Sequence, residues 1–272
     1  MTANGREDLA LIVEAARAAG ELALKLRDAG LETKLKEGDS SPVTNADLAC
    51  DALLTERLRG ARPDYGWLSE ETVDDPDRLA RRRVFMVDPI DGTRDYLRGR
   101  PGWVVSIAVV EDGLPIAGAV YAPQARQAYA AVFGCGATLD GAAIRCSVTT
   151  ELDGAGMVGD PGFFSHPGWA KPWPPLRVEA RNATAFRMCL VASGAFDGTL
   201  ALSAKHDWDL AAADLIAREA GAFSGDHLGR PFRFNGPIPQ QPSLVCATPG
   251  IAPLIMSRVQ HIAMPQAAAP NE

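Results

Sequence analysis

The sequence predicts a chain of mixed α and β structure, built as two tightly packed subdomains over residues 1–148 and 149–272. Two observations predict this class. Segments with helical apolar spacing alternate with short apolar runs of strand character. A stretch rich in glycine, proline and aromatic residues, 153–175, then separates an earlier group of these elements from a later one. A chain of 272 residues can bury a substantial core in such an arrangement.

Composition and charge limit the class of partner. The chain is 47% hydrophobic and 22% charged, as soluble globular proteins are, and its formal net charge is −7. This charge argues against a nucleic acid polymer or an anionic membrane surface as the main partner, and a small anionic substrate would need local cations. The N-terminus has no signal core, no segment is long enough to span a membrane, and the five cysteines are scattered. We therefore expect a cytoplasmic protein.

The N-terminal half begins with two predicted helices. Apolar residues at helical spacing over 9–23 predict a first helix over 7–27 that ends near Gly30. A second apolar series over 48–58 predicts another helix. Asp47 then falls in the first turn of this second helix, where the helix dipole favours a carboxylate.

Strand-like runs follow the second helix. They cover residues 84–87, 104–110, 116–122 and 127–133. Because the turn sequence "EDGLP" joins the second run to the third, the simplest arrangement is an antiparallel meander with the 84–87 strand nearby. The segment "GCGATLDG" closes this half of the chain.

The C-terminal half is predicted to open with a loop over 153–175. After it, the pattern predicts a buried helix over 185–192 that ends at Gly194 and a short strand over 196–202. The segment "DWDLAAADLIAREAGA" predicts a further helix, with Asp209 near its start and Gly221 at its end. A strand over 244–248, a helix over 253–262 and a disordered tail over 264–272 complete the chain.

The segment "VDPIDGT" places two acids, Asp88 and Asp91, at the exit of the 84–87 strand. An EF-hand calcium loop needs alternating acids and a late glutamate, which this segment lacks. A phosphatase of the haloacid dehalogenase type needs a nucleophilic aspartate two residues before its second acid, and here that position is Pro89. An ordinary strand-exit turn stays open, because aspartate, proline and glycine are common in turns.

Two acids three residues apart over a rigid proline can also converge on divalent cations such as Mg²⁺, which takes oxygen ligands. The N–H groups of Gly92 and Thr93 follow where the chain can turn into a helix, a position suited to a phosphate oxygen. A metal site needs more acids, and the sequence offers Asp47, Glu70 and Asp209. Each has an ordinary explanation alone, since acids are common in first helical turns and at solvated edges.

These acids occur in an order that resembles the inositol monophosphatase superfamily, the Mg²⁺-dependent, lithium-sensitive phosphatases that include inositol monophosphatases and 3'(2'),5'-bisphosphate nucleotidases. The resemblance extends from Leu9 to Ile262 and is carried by "SPVTNAD", "LSEE", "DPIDGT", "GAVYAP", "GCGATLDG" and "WDLAAADLIAREAGA". It implies an alternating αβαβα sandwich with the active site where the two halves meet. Dimers are common in the resembling family, so a homodimer is possible for this chain.

The resemblance also implies metal ligands. By position, Glu70, Asp88 and the carbonyl of Ile90 match ligands of a first Mg²⁺, while Asp88, Asp91 and Asp209 match ligands of a second. Glu70 would also help to hold a weaker third ion through water. Two such ions can activate a water and stabilise the leaving oxygen in an in-line displacement, with no covalent intermediate.

Further residues match catalytic and substrate-binding positions. Asp47 and Thr93 resemble the pair that orients the attacking water, with Glu70 as a further catalytic residue. The phosphate and substrate are expected to contact Gly92, Thr93, Asp91, Lys36 and Arg187. For Lys34 and Lys36 the alternative to a role at the site is a solvated basic loop, and for Arg187 it is a surface position over a helix face. His206 lies near Asp209 in the sequence and is expected to be a packing residue rather than a catalytic one.

Two departures from the family pattern bear on the substrate. The segment "SGAFDGTLALSAKHDWD" has no glutamate where inositol monophosphatases carry one that contacts the inositol ring. The triplet Arg94-Asp95-Tyr96 is closer to the Lys-Glu-Phe of bisphosphate nucleotidases than to the Thr-Asn-Phe of inositol monophosphatases. The expected activity is hydrolysis of an inositol monophosphate or, with some preference, a bisphosphate nucleotide. A fructose-1,6-bisphosphatase-like sugar phosphatase and a non-catalytic phosphate-ligand sensor are the alternatives.

Overall fold

The computed structural model describes residues 3–36 and 41–264. In these two ranges the chain forms seven α-helices: α1 (Ala3–Ala29), α2 (Asn45–Ala61), α3 (Thr93–Leu97), α4 (Pro161–Phe164), α5 (Thr184–Ala192), α6 (Asp207–Glu219) and α7 (Ala252–Val259). The predicted disordered tail lies, apart from Met264, outside the described residues.

The same part of the chain forms sixteen strands, most of them short. They are β1 (Thr33–Leu35), β2 (Pro42–Thr44), β3 (Gly66–Ser69), β4 (Arg83–Asp91), β5 (Val104–Glu111), β6 (Leu114–Ala122), β7 (Gln127–Val132), β8 (Ala137–Leu139), β9 (Ala142–Ile144), β10 (Gly156–Val158), β11 (Arg177–Glu179), β12 (Gly198–Ala201), β13 (Lys205–His206), β14 (Phe223–Gly225), β15 (Gln240–Gln241) and β16 (Leu244–Ala247).

The larger sheet has seven strands in the order β3-β4-β5-β6-β7-β8-β9. From β4 to β9 each strand pairs antiparallel with the next one along the chain, so the predicted meander is confirmed. Strand β3 was not predicted, and it pairs parallel with β4 at the edge of the sheet. The carboxyl ends of β3 and β4 therefore lie side by side.

Alternate residues of β4 enter two different cores. Phe85 and Val87 pack in one core with the apolar faces of α1 and α2. Val84 and Met86 pack in the other with α5 and α6. This two-residue period is that of a strand buried on both faces, so the large sheet is covered by a helical layer on each side.

A second sheet lies beyond α5 and α6, with strand order β11-β10-β12-β16-β14. Its outer face packs with α4 and α7 in a third core. The layers are thus helices, sheet, helices, sheet and helices, and the predicted αβαβα sandwich is confirmed. Residues 145–155 connect the two sheets and contain the predicted subdomain boundary; the division into subdomains stays a prediction.

The prediction of a continuous loop over 153–175 is wrong. This segment contains β10 and the short helix α4. Asp160 caps α4 by accepting a hydrogen bond from the N–H of Gly162 at 2.8 Å, and Pro161 occupies its first turn. Proline and glycine were therefore part of a helix start, while β10 is held by pairing with β11 and β12, which no local pattern indicates. Within the described ranges, no helix combines the length and apolar character that a membrane crossing requires.

Candidate active site

The predicted metal loop lies where β4 leaves the large sheet. Pairing between β4 and β5 is irregular between Asp88 and Asp91, and both acids are buried. The carboxylate of Asp88 accepts a hydrogen bond from the N–H of Ile90 at 3.0 Å. The break in the ladder and this local turn direct the Asp88 side chain away from the strand and into a cleft.

Three carboxylates converge in this cleft. Glu70, Asp88 and Asp209 each place an oxygen within 4.8 Å of the others. Glu70 follows β3, and its N–H extends the pairing with β4 by donating to the carbonyl of Val87 at 3.2 Å. Asp209 lies in the first turn of α6 and accepts the N–H of His206 at 3.0 Å. The parallel β3–β4 edge and one helix start therefore bring the three acids together.

The electrostatics of this cluster fit a cation. Burial raises the pKa of Asp88 well above its usual range, and the negative charges of Glu70, Asp91 and Asp209 raise it further. Burial and the charges of Asp91 and Glu70 raise the pKa of Asp209 to about 8. Carboxylate oxygens grouped at this density, and destabilised as anions, are the ligands that hard divalent cations take. The residues present thus fit a divalent metal.

Asp91 has an additional structural contact. Its two carboxylate oxygens accept the N–H groups of Thr184 and Ala185 at 3.1 and 2.7 Å. Asp91 therefore caps the start of α5 and joins the loop to the second half of the chain. Burial raises its pKa to about 7, although these hydrogen bonds act in the opposite direction. Its side chain lines the same cleft as Glu70, Asp88 and Asp209.

Asp47 lies next to Thr93, which lines the cleft. The hydroxyl of Thr93 is 3.4 Å from Asp47 Oδ1 and 3.1 Å from the carbonyl oxygen of Ile90. The other oxygen of Asp47 accepts both the N–H and the hydroxyl of Thr44, at 2.7 and 2.6 Å, in the capping box that starts α2. Burial raises the pKa of Asp47, although the hydrogen bonds from Thr44 act to lower it. One carboxylate oxygen of Asp47 is thus held by the helix, and the other faces Thr93.

Gly92 connects the acids to α3 and lines the cleft with Thr93. Its φ is +97°, and a Cβ at this position would lie 3.1 Å from the Cβ of Ala183. Both the backbone conformation and the close packing therefore require glycine.

Of the two predicted lysines, only Lys36 enters the site. Its ammonium lies 2.8 Å from a carboxylate oxygen of Glu70 and 2.8 Å from one of Glu71, whereas Lys34 is exposed on β1. Burial opposes the charge of Lys36, but the two glutamates outweigh it and raise its pKa. Burial also raises the pKa of Glu71, to about 7. Lys36 thus holds the Glu70–Glu71 pair, a contact that the sequence did not reveal.

Arg187 is buried, so it is not a surface arginine. It lies one turn inside α5, where its Nη2 donates to the hydroxyl of Thr184 at 3.2 Å. Burial lowers the pKa of Arg187, while the charges of Asp91 and Asp209 act to raise it. The guanidinium therefore lies within electrostatic reach of the acids, at the wall of a second, larger cavity.

The side chain of His206 is partly buried just before α6. Its ring stacks on Trp208 with centroids 4.3 Å apart and planes 3° from parallel, and its backbone N–H binds Asp209. His206 is the N-cap residue of α6, and its N–H helps to orient the Asp209 carboxylate.

Sequence reasoning missed one acid near the cluster. Asp51 lies one turn after Asp47 in α2 and accepts the hydroxyls of Ser69 at 2.5 Å and Thr72 at 2.8 Å. These two residues flank Glu70 and Glu71. The spacing of Asp51 four residues after Asp47 was the available signal, because it places both on one helix face.

Comparison with known proteins identifies the family. The model of the inositol monophosphatase family matches residues 5–263. The chain is 35% identical over 252 residues to a histidinol-phosphatase of Mycobacterium tuberculosis, covering 85% of this chain and 94% of the relative. It is 32% identical over 250 residues to an inositol-1-monophosphatase of Mycobacterium leprae, covering 85% and 82%.

Solved structures agree with the sequence comparison. The extragenic suppressor protein suhB of Bartonella henselae matches with a TM-score of 0.81 and 25% identity, over 94% of this chain and all of that one. The family and the names of the two Mycobacterium relatives support a phosphatase, and these two names refer to different substrates. The chain belongs to the inositol monophosphatase family.

Proposed function

We propose that the protein is a Mg²⁺-dependent phosphomonoesterase that hydrolyses a small phosphate ester by attack of water. The observation that carries the proposal is the convergence of Glu70, Asp88 and Asp209 within 4.8 Å, beside the Asp47–Thr93 pair. Acids at this density are needed where cations meet a phosphate. A structural role alone does not require three of them to face one cleft.

The proposed metal ligands are the acids of the cleft. Glu70, Asp88 and the carbonyl of Ile90 would hold one Mg²⁺, and Asp88, Asp91 and Asp209 a second, with Glu70 contributing to a third through water. Bound Mg²⁺ would supply positive charge that activates a water and stabilises the leaving oxygen. Asp91 can bind metal and still cap α5, since each carboxylate oxygen has more than one lone pair.

The remaining residues position the reactants. We assign Asp47 and Thr93 to the attacking water, because Asp47 Oδ1, the carboxylate oxygen that Thr44 does not bind, lies 3.4 Å from the hydroxyl of Thr93. The N–H groups of Gly92 and Thr93 and the guanidinium of Arg187 provide donors for the phosphate. Lys36 adds positive charge and keeps Glu70 in place.

The local charge favours a bisphosphate nucleotide over inositol monophosphate. Arg94 lines both the metal cleft and the larger cavity, where it can meet a group other than the scissile phosphate. No glutamate stands between Ser193 and Asp209 to contact an inositol ring. Because Arg94 would also suit a sugar bisphosphate, a fructose-1,6-bisphosphatase-like activity is the second candidate.

Phosphate release tests the proposal. Purified protein with Mg²⁺ should release phosphate from at least one of inositol 1-phosphate, adenosine 3',5'-bisphosphate and fructose 1,6-bisphosphate. Asp88→Asn should reduce kcat by about three orders of magnitude or more, since it removes the negative charge and one oxygen of a ligand shared by both ions. The matched control is Asp64→Asn, which changes an exposed acid away from the cleft.

Thermal unfolding and circular dichroism would verify that Asp88→Asn keeps the fold. Full activity of this variant would contradict the metal assignment. Ligand binding by calorimetry without turnover of any ester would instead indicate a phosphate-ligand sensor.

A further inference from the structure

A cavity of about 840 Å³ lies beside the metal cleft, and its lining is strongly basic. The two share Arg94 and Asn182 in their walls. The basic residues around the cavity are Arg94, Arg98, Arg100, Arg181, Arg187 and Lys205. Only two acids, Asp95 and Asp160, accompany these six cations, in a chain whose formal net charge is −7.

The two acids do not neutralise these cations by pairing with them. Asp95 accepts the backbone N–H of Asn182 at 3.3 Å, and Asp160 accepts that of Gly162 at 2.8 Å. Among the residues that the structure describes, the side chains of Arg98 and Arg100 form no hydrogen bond or ion pair. Arg181 forms an ion pair with Glu179, so the positive charge without a counterion is concentrated at Arg98 and Arg100. Like charges gathered in this way repel one another, and an anion that enters beside them relieves the repulsion.

The cations of the cavity lie at increasing distance from the metal loop, both in the sequence and in space. Arg94 lies in the first turn of α3, which begins directly after Gly92, and Arg98 follows four residues later. Four residues correspond to about 6 Å along a helix axis, so Arg98 lies about one helical turn beyond Arg94. Arg181 and Lys205 line the same cavity from other parts of the chain. An anion held there would be separate from a phosphate held at the acids.

Apolar side chains also line the cavity. Phe163, Phe164, Leu200 and Leu202 contribute to its wall. A ring or short apolar linker can pack on this wall while charged groups at its two ends reach the metal cleft and the arginines.

We propose that Arg98 and Arg100, with Arg181 and Lys205, form a subsite for a second anionic group of the substrate. The preferred substrates would then be small esters with two anionic groups, one cleaved at the acids and one held by the arginines. The inference rests on the proposed phosphatase function. It also disfavours histidinol phosphate for this chain, because the ammonium group of that molecule would face cations.

Matched substrate pairs test the subsite. We expect kcat/KM with Mg²⁺ to be about tenfold or more higher for adenosine 3',5'-bisphosphate than for adenosine 3'-monophosphate, the gain typical of one charge-assisted hydrogen bond. The double variant Arg98→Gln, Arg100→Gln should lower this ratio about tenfold. Both side chains are exposed, so the variant should fold.

Two further variants test whether the substrate ratio depends on the positive charge at positions 98 and 100, and on the location of that charge. Arg98→Lys, Arg100→Lys keeps the charge and should retain a ratio well above that of the glutamine variant. Arg59→Gln removes an exposed arginine of α2 that lies about 18 Å along the helix from Asp47, and should leave the ratio unchanged.

The outcomes separate the two proposals. Equal turnover of the matched pair, a ratio unaltered in the glutamine variant, or a preference for histidinol phosphate would overturn the subsite while leaving the phosphatase intact. If no ester is hydrolysed, calorimetry of adenosine 3',5'-bisphosphate binding decides: tight binding lost in the glutamine variant supports the subsite, and binding unchanged in that variant overturns it.

Discussion

The hydroxyl of Thr93 lies between two acceptors, 3.4 Å from Asp47 Oδ1 and 3.1 Å from the carbonyl oxygen of Ile90. A hydroxyl has one proton, so Thr93 can donate to only one acceptor at a time. When it donates to Ile90, its oxygen can accept a hydrogen bond from a water that donates also to Asp47. This switch is the physical basis for assigning the pair to the attacking water.

Thr93→Ala should therefore lower kcat by about a hundredfold or more, the range for removal of a group that positions or transfers a proton. Thr93→Ser keeps the hydroxyl and should recover most of the rate. Steady-state kinetics at saturating Mg²⁺ would measure both. An alanine variant as fast as the serine variant would show that the hydroxyl has no part in the reaction.

The longer elements of the fold could be predicted from the sequence, because the spacing of their apolar residues matches the period of the helix or strand that they form. The helix around Asp209 and the β5 to β7 meander are examples. Strands β3 and β10 could not be predicted in this way. Each is only three or four residues long and is held by a parallel neighbour that is distant in sequence. Pairing of this kind produces no local apolar periodicity from which the strand could be predicted.

The same distinction between local sequence patterns and tertiary contacts applies to the candidate site. The predicted acids lie on short motifs whose chemistry is local, and the structure brings Glu70, Asp88 and Asp209 together. The capping of α5 by Asp91 and the two-glutamate contact of Lys36 depend on tertiary packing. The basic cavity draws on four separate segments, so its charge has no counterpart in any one motif.

Close packing of β6 against α6 depends on Gly118. A Cβ at this position would lie 2.7 Å from the backbone carbonyl oxygen of Ala212, which cannot move without shifting α6. Gly118→Ala should therefore destabilise the fold by about 2 kcal/mol or more, within the range for overpacked cores. Because α6 carries Asp209, activity should also fall.

Urea unfolding would measure the loss in Gly118→Ala. Gly60→Ala is a matched control, because Gly60 lies in α2 with no heavy atom within 4 Å of its added Cβ. That variant should be as stable as the parent protein or more so, by about 0.5–1 kcal/mol. Equal stability of Gly118→Ala and the parent would mean that α6 can move at little cost.

Asp197 should contribute to stability in a pH-dependent way. Burial opposes its ionisation, but hydrogen bonds from the hydroxyls of Ser147 and Thr149 and the N–H of Gly156 outweigh burial and lower its pKa. A carboxyl with a lowered pKa in the folded state stabilises the fold above its unfolded pKa, near 4. This contribution is lost as the pH falls through the lower, folded value.

We therefore expect Asp197→Asn to be less stable than the parent at pH 7 by about 1–3 kcal/mol, because the charged acceptor is lost. The difference should shrink below about pH 4, where the parent also becomes protonated. Urea titrations from pH 7 to pH 3 would measure it, with the exposed Asp153→Asn as control. A difference that is constant with pH would exclude the ionised carboxylate as the cause.

Asp51 should control metal affinity without touching the metal. Its carboxylate holds Ser69 and Thr72, and so fixes the segment that carries Glu70 and Glu71. Loss of such support around a metal ligand typically costs 10- to 100-fold in affinity or activity. Asp51→Ala should therefore weaken Mg²⁺ binding by about tenfold or more, and high Mg²⁺ should recover much of the lost rate.

Calorimetric titration with Mg²⁺, together with kcat and the Mg²⁺ concentration at half-maximal rate, would separate this role from a general loss of structure. Asp51→Asn keeps one acceptor for the hydroxyls and should lie between the parent and the alanine variant. A purely structural role would lower thermal stability and leave the Mg²⁺ dependence of the folded fraction unchanged. The prediction requires the opposite pattern, because the hydrogen bonds that Asp51 accepts come from Ser69 and Thr72, on either side of Glu70 and Glu71.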